Sequence, residues 1–286
     1  MSRFWTRLAA GLSPYVPGEQ PRGERLIKLN TNESPYDPAP GVLEAIAATT
    51  GSSLKRYTDP QSTALRSAFA NREGLLPEQV FLGNGSDEVL AHAFQGLLKH
   101  DKPLVFPDIS YSFYPVWSAL YEVKHELVPL TEDFRVDVRR FPADCGAIIV
   151  PNPNAPTGIL LSLEEVRCLL QTHPDAVVVI DEAYIDFGGE SATRLVPEYD
   201  NLLVIQTASK SRSLAGLRVG VAFGHQALIE ALVRVKDSFN SYPMDVVAQR
   251  ATLASLEDET WFRECCERII KTRERTSARL GELGFE

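Results

Sequence analysis

The chain is poor in the residues that build metal centres and disulfide frameworks. Its 286 residues include four cysteines and five histidines, with neither a Cys-x-x-Cys nor a His-Glu-x-x-His spacing. No apolar run approaches transmembrane length, and the N-terminal residues lack the continuous apolar core of a secretory signal. These absences predict a cytoplasmic protein with free thiols, no metal site and no membrane partner.

The sequence also lacks internal repeats, low-complexity tracts, a Walker A loop and a Gly-x-Gly-x-x-Gly fingerprint, which argues against the common nucleotide-binding modes. Its formal net charge of −9 repels nucleic acid. An anionic ligand would therefore need a local cluster of donors. A hydrophobic content of 44% and a charged content of 23% are typical of globular proteins with a buried core.

What the sequence does contain is an alternation of short apolar runs with amphipathic stretches. Because the runs show no polar alternation, we expect them to be buried on both faces, with helices as crossovers. The pattern predicts an α/β fold with a mostly parallel sheet. The predicted strands are Val80–Leu82, Leu104–Phe106, Ala147–Val150, Ala176–Ile180, Leu202–Gln206 and Val219–Phe223, and the helical patterns between them include Asp87–Leu98, Leu163–Gln171 and Gln226–Lys236.

Changes in composition along the chain predict that it divides into an N-terminal arm, a large domain and a smaller domain. Residues 1–40 are rich in proline and are expected to form an extended N-terminal arm. Residues 41–242 carry the alternating pattern and predict a large domain. After Pro243 the pattern is purely helical, so we expect residues 243–286 to belong to a smaller α/β domain. The sequence stops directly after a long amphipathic helix, and we expect this smaller domain to be incomplete at its C-terminal end.

Two polar segments precede helical patterns at strand ends. Gly85, Ser86 and Asp87 form a glycine-rich turn, where free backbone N–H groups and the helix dipole favour an anion. The alternative is a tight turn without a ligand. Asn152 and Asn154 stand in a proline-rich segment after the run that ends at residue 150. Their amides suit the ligand crevice of an α/β sheet, although a rigid turn is the alternative.

Two further segments carry charged groups. Asp181 ends an entirely apolar run and Tyr184 follows three residues later. A carboxylate in that place is costly unless it is paired or serves a ligand, the alternative being a helix cap. Lys210 lies among small hydroxyl residues, with Arg218 beyond it; a solvated basic loop is the alternative there. Together the four segments offer what a pyridine ring with a phosphate and an aldehyde requires.

The motifs resemble those of the fold-type-I pyridoxal-phosphate (PLP) aminotransferases, and among them the histidinol-phosphate aminotransferases. The resemblance runs from about Leu12 to the end of the chain. Three segments carry it most specifically, namely Leu29–Pro35 (LNTNESP), Arg56–Asp59 (RYTD) and Ser209–Arg218 (SKSRSLAGLR). It implies a PLP-binding large domain, an amino donor and a 2-oxo acid as substrates, and a homodimer.

Carried over to the matching positions, the resemblance implies a role for each residue. Lys210 holds PLP as a Schiff base and then serves as acid and base, Asp181 pairs with the pyridinium nitrogen, and Tyr184 with the 3′-oxygen. Tyr15 and Asn32 are expected on the substrate side. The other cofactor-binding residues are Gly85, Ser86, Asp87, Tyr111, Asn154, Ser209, Arg218 and Tyr57, the last reaching the phosphate in a neighbouring subunit.

The local chemistry agrees with the role of Lys210. Arg218 and low-dielectric walls should depress the pKa of its amine, which favours the nucleophilic form.

Two departures from the family pattern leave alternatives open. Ala155 stands where the family has an asparagine, so Asn154 is expected to take over that contact. The family has a late arginine that holds the substrate's anionic group, and this sequence contains no matching position. We expect transamination of histidinol phosphate with 2-oxoglutarate in histidine biosynthesis. The alternatives are an aromatic amino acid aminotransferase, a PLP decarboxylase of a phosphorylated amino acid, and a truncated, catalytically silent PLP-binding protein.

Overall fold

The computed structural model describes residues 2–16, 18 and 27–285. Within these residues, seven strands form one sheet in the order β1-β7-β6-β5-β4-β2-β3. Each strand coincides with a short apolar run except β3, whose first three residues are exposed. The strands are β1 (Val80–Asn84), β2 (Leu104–Pro107), β3 (His125–Val128), β4 (Ala147–Pro151), β5 (Val177–Asp181), β6 (Leu202–Thr207) and β7 (Val219–Gly224).

Strand β7 runs against the rest of the sheet. It pairs antiparallel with β1 on one side and with β6 on the other, whereas the pairs among β2, β3, β4, β5 and β6 are parallel. The expectation of a mostly parallel sheet is confirmed. Arg218 directly precedes β7 and so does not follow a parallel strand. It reaches the edge at which the other strands end because β7 starts there.

Ten α-helices of the described residues surround the sheet, and two of them, α9 and α10, form the predicted helical C-terminal part. The nucleus of the fold has three layers, with α5, α6 and α8 on one face and α2, α4, α7 and α9 on the other. The helices are α1 (Arg7–Gly11), α2 (Pro40–Ala47), α3 (Gly51–Leu54), α4 (Thr63–Glu73), α5 (Ser86–Gly96), α6 (Tyr114–Tyr121), α7 (Leu163–Thr172), α8 (Gln226–Phe239), α9 (Val246–Glu257) and α10 (Glu259–Glu282).

Consecutive residues of the central strands face opposite layers, as the pleat requires. Val179 packs with the α5 side and Val178 and Ile180 with the α2 side. The same alternation, continued past the end of β5, sends Asp181 and Glu182 to opposite faces of the sheet. No helix in the part of the chain that the structure describes is long and apolar enough to cross a membrane. The division at residues 40 and 242 stays a prediction.

Candidate active site

A cleft of about 710 Å³ opens at the edge of the sheet where β1, β4, β5 and β6 end and β7 begins. It gathers residues that are far apart in the sequence, because the ends of parallel strands meet at one edge. Most of the predicted site residues line it. They are Tyr15, Asn32, Ser86, Asp87, Tyr111, Asp181, Tyr184, Ser209, Lys210 and Arg218.

Lys210 extends from the loop after β6 into this cleft. Its Nζ donates a hydrogen bond of 2.6 Å to the carbonyl oxygen of Thr31. Burial lowers the pKa of the amine, and the charge of Arg218 lowers it further against the opposing effects of Glu33 and Asp87. The predicted direction is therefore confirmed, with burial rather than Arg218 as the larger cause. A lysine in this state deprotonates more readily than one in water.

Asp181 is a buried acid with an unused acceptor. Its Oδ2 accepts a hydrogen bond of 2.8 Å from the Tyr114 hydroxyl, whereas Oδ1 is buried and has no hydrogen-bond partner within the described part of the chain. Burial raises the pKa of this carboxyl to about 6, although the bond from Tyr114 acts in the opposite direction. Tyr114, which the sequence reasoning missed, lies 67 positions away in α6 and is itself fully buried.

The turn before α5 and the start of β7 are in close contact. Gly85 has a φ of +85°, and a Cβ there would lie 2.5 Å from Nη2 of Arg218. Arg218 itself is in the left-handed region with a φ of +52°. Its guanidinium forms a 3.0 Å ion pair with Asp87, which also accepts a 3.3 Å hydrogen bond from the Tyr111 hydroxyl. A cation, a phenol and the N-terminus of α5 thus meet at one end of the cleft.

The opposite wall belongs to residues 31–34, which lie across the cleft. The Asn32 side-chain amide donates a 3.0 Å hydrogen bond to the Tyr184 hydroxyl. The Ser34 and Ser213 hydroxyls are 2.8 Å apart. The Tyr15 ring is tilted against that of Phe113, with ring centres 4.7 Å apart, beside the Tyr111 ring. This segment therefore contacts the loop of Lys210 at more than one point.

Besides Gly85, three residues singled out in the sequence lie outside the lining. The Asn152 side chain bonds the backbone of Leu161 and is fully buried. The Asn154 amide nitrogen donates to the carbonyl oxygen of Ile109 and to the Thr157 hydroxyl, and its Oδ1 is buried with no hydrogen-bond partner among the described residues; Ala155 is the residue of this segment that lines the cleft. The expectation that Asn152 faces a ligand is thus wrong, and the cofactor contact of Asn154 stays a prediction.

Tyr57 is the third of these residues. Its side chain is 84% exposed and stacks at 4.6 Å on Tyr242, away from the cleft. Among the described residues, no contact joins it to those that line the cleft.

The cleft fits the cofactor that the resemblance implies. The unpartnered Oδ1 of Asp181 is a buried acceptor for a protonated ring nitrogen. Lys210 provides an amine of lowered pKa for an aldehyde. The α5 N-terminus, with the guanidinium of Arg218 over Gly85, suits a phosphate. The three groups that PLP needs are therefore supplied by one cleft.

Comparison with known proteins agrees with this interpretation. The sequence profile of the family Aminotransferase class I and II matches residues 24–286. Histidinol-phosphate aminotransferase 1 of Hydrogenovibrio crunogenus is 56% identical over 286 residues, which are 100% of this chain and 80% of that protein. Histidinol-phosphate aminotransferase 1 of Pseudomonas fluorescens is 57% identical over 100% of this chain and 82% of that protein.

A solved structure shows the same arrangement of elements. The histidinol-phosphate aminotransferase of Sinorhizobium meliloti, in complex with pyridoxal-5′-phosphate, matches with a TM-score of 0.80 at 26% sequence identity. The match covers 89% of this chain and 70% of that chain.

Proposed function

Since the chain belongs to the class I and II aminotransferase family, we propose that it is a PLP-dependent transaminase acting on histidinol phosphate and 2-oxoglutarate in histidine biosynthesis. The observation that carries the choice of substrate is the identity of 56% along the whole chain to relatives that bear the name of this activity. The cleft supports the choice of reaction, because its groups are those that a PLP enzyme uses.

The chemistry divides between the cofactor and the chain. When bound, PLP supplies an aldehyde that captures an amino group and a ring that withdraws electrons from the reacting carbon. Lys210 would supply the amine that anchors the cofactor, and its Nζ would then take the proton from the substrate's amino-bearing carbon and release it to the cofactor carbon that carried the aldehyde. Burial makes both tasks easier because it keeps a larger share of the amine unprotonated.

Asp181 provides a fixed negative charge at the bottom of the cleft. Tyr114 holds the carboxylate by bonding Oδ2, and Oδ1, which has no hydrogen-bond partner among the described residues, would accept a hydrogen bond from a protonated ring nitrogen. A carboxylate in a low-dielectric site stabilises a neighbouring cation far more than one in water. Asp181 therefore keeps the ring protonated and able to accept electrons.

The remaining residues bind and orient. Arg218, Ser209 and the N–H groups at the start of α5 would hold the phosphate, with Gly85 leaving room for the guanidinium. The Tyr111 ring would cover the pyridine. The Tyr184 hydroxyl, which accepts a hydrogen bond from the Asn32 amide, would donate to the ring oxygen.

We further propose that the enzyme works as a homodimer. The RYTD segment places Tyr57 on the surface, and its ring with that of Tyr242 forms an exposed aromatic pair. Leu54 and Phe239 are also exposed. An exposed apolar surface of this kind suits a second copy of the chain, whose cleft Tyr57 would complete. We place the enzyme in the cytoplasm, in keeping with its four free cysteines.

A half-reaction screen tests the substrate. The protein is saturated with PLP, and loss of the visible absorption band is followed after adding histidinol phosphate, glutamate, phenylalanine or tyrosine without an acceptor. We expect the fastest loss with histidinol phosphate and an appreciable loss with glutamate. Faster loss with phenylalanine or tyrosine would favour an aromatic aminotransferase, release of carbon dioxide a decarboxylase, and a stable band with every donor a silent PLP-binding protein.

A further inference from the structure

Arg212 lies two residues beyond Lys210, but its side chain leaves the cleft and enters the protein. The residue is only 5% exposed, which is unusual for an arginine. It is the charged group of the Lys210 loop that is most deeply buried, and none of the functions proposed above uses it.

The guanidinium sits at the junction of two helices. Nη1 donates a 2.7 Å hydrogen bond to the carbonyl oxygen of Ser255 in the last turn of α9, and Nη2 a 2.7 Å bond to Glu259 in the first turn of α10. The Phe262 ring lies 4.1 Å from its central carbon. Carbonyls in the last turn of a helix lack intrahelical partners and favour a cation. Glu259 provides the opposite charge at the α10 N-terminus.

The loop that carries Lys210 depends on such side-chain anchors. Its backbone forms only short turns, with bonds from Ser213 N to the Lys210 carbonyl oxygen and from Leu214 N to that of Ala208. Ser211 donates to Asp186 at 2.5 Å, and Ser213 meets Ser34. Arg212, between these two serines, makes the deepest of the three attachments.

We propose that Arg212 is a positioning residue for Lys210, which fixes the Lys210 loop to the α9–α10 junction and so holds the amine inside the cleft. The inference rests on the proposed PLP chemistry. A buried ion pair contributes little net stability compared with apolar packing of the same volume, so its value lies in fixing one arrangement. If the α9–α10 junction moves, the backbone of Lys210 moves with it.

The pKa of the Lys210 amine depends on where the loop holds it, because burial and neighbouring charges determine how readily the amine ionises. Burial is the main reason for its lowered pKa, and the charged groups around it are Glu33, Asp87, Arg218 and Lys28. Arg212 is not among these groups. Its loss would therefore act on the amine through the position and hydration of the loop rather than through its charge.

The test compares Arg212→Met with a matched control in the full chain. Arg263→Met removes a guanidinium that also approaches Glu259, at 4.0 Å, but from a side chain that is 80% exposed. The growth of the visible band on adding PLP is followed across pH, at a temperature where circular dichroism shows every variant folded. We expect Arg212→Met to raise the pH midpoint of PLP capture by about one unit, which slows capture about tenfold at neutral pH. The control should match the wild type.

Two further variants guard against a general loss of structure. Arg212→Lys keeps the charge but has one nitrogen in place of the two that bond Ser255 and Glu259, so it should share the raised midpoint. Glu259→Gln keeps an oxygen acceptor for Nη2 and should stay near the wild type. A lowered melting temperature with an unchanged midpoint in both Arg212 variants would overturn the proposal and leave Arg212 a purely structural residue. A wild type that fails to bind PLP would instead overturn the proposed function.

Discussion

Asp181 and Glu182 are adjacent buried acids at the end of β5, and they face opposite sides of the sheet. Both carboxylate oxygens of Glu182 accept hydrogen bonds. Oε1 accepts one of 2.7 Å from the Ala192 N–H, and Oε2 accepts one of 2.6 Å from the Ser191 hydroxyl and one of 2.9 Å from the Gln206 amide. Asp181 has one side-chain donor, Tyr114, and its Oδ1 has no hydrogen-bond partner within the part of the chain that the structure describes. Burial alone therefore does not identify a functional acid.

The difference between the two acids follows from the general cost of burying polar groups. A buried acceptor without a partner costs about 1–3 kcal/mol, and one that lines a cleft can regain a partner when a ligand binds. On the Glu182 side the chain satisfies its own carboxylate. On the Asp181 side it leaves an acceptor directed at the cleft that contains Lys210. Substitutions on the two faces should therefore separate catalysis from stability.

The largest effect should come from the cleft side, at Lys210. Lys210→Ala removes both the amine that anchors PLP and the group that moves the proton. We expect activity to fall on the order of 10⁴-fold, the upper range for loss of an acid–base group. Steady-state assays with histidinol phosphate check this, and the melting temperature should change little. An active Lys210→Ala protein would show that the cleft is not the active site.

The next effect should come from Asp181. Asp181→Asn keeps the size of the side chain and an acceptor for Tyr114, but loses the charge. We expect kcat to fall by about 10²–10³-fold, as for the loss of one preorganised electrostatic group. Stopped-flow measurement of the half-reaction locates the loss in the proton-transfer step. An equal loss in Glu182→Gln would erase the contrast between the two acids.

A smaller effect is expected from Tyr114→Phe. The hydroxyl donates to Asp181 and lowers the pKa of that carboxyl, so its removal raises the pKa further above about 6. Asp181 is needed ionised, and the acid limb of the activity profile should move to higher pH. A hydrogen bond to a charged group contributes roughly 1.5 kcal/mol, which corresponds to about a tenfold loss on the acid side. An unshifted limb would mean that Tyr114 does not control Asp181.

The smallest effect on activity should come from Glu182→Gln, whose consequences lie in stability. Burial raises the pKa of Glu182 to about 7 from an ordinary value of 4.5. The folded state then binds more protons than the unfolded state between these values, so this group's contribution to stability is lost as the pH rises through that window. Urea unfolding across the window should show the wild type losing stability relative to Glu182→Gln. A constant difference would contradict the raised pKa.

Much of the fold follows from patterns along the chain. Apolar runs without polar alternation located six strands, and the purely helical end located α9 and α10. Strand β3 was not predicted from the sequence because it is a short edge strand with three exposed residues, including His125 and Glu126. The antiparallel direction of β7 was not predicted either, because an apolar run that is buried on both faces does not indicate whether its strand pairs parallel or antiparallel.

The site was predictable where one motif carries one function. Lys210, Asp181 and Arg218 stand at strand ends and meet in the cleft as expected. Tyr114 was missed since no local pattern separates it from a core aromatic residue of an amphipathic helix. The cofactor contact of Asn154 stays a prediction. Its position suggested a ligand contact, but the amide bonds Ile109, which lies 45 positions away.

The most direct test of the account is the site at which PLP attaches. The protein is incubated with PLP, reduced with borohydride, digested and examined by mass spectrometry. We expect one pyridoxyl group per chain, on Lys210, together with loss of the visible band in Lys210→Ala. A label spread over surface lysines, or no label at Lys210, would contradict it.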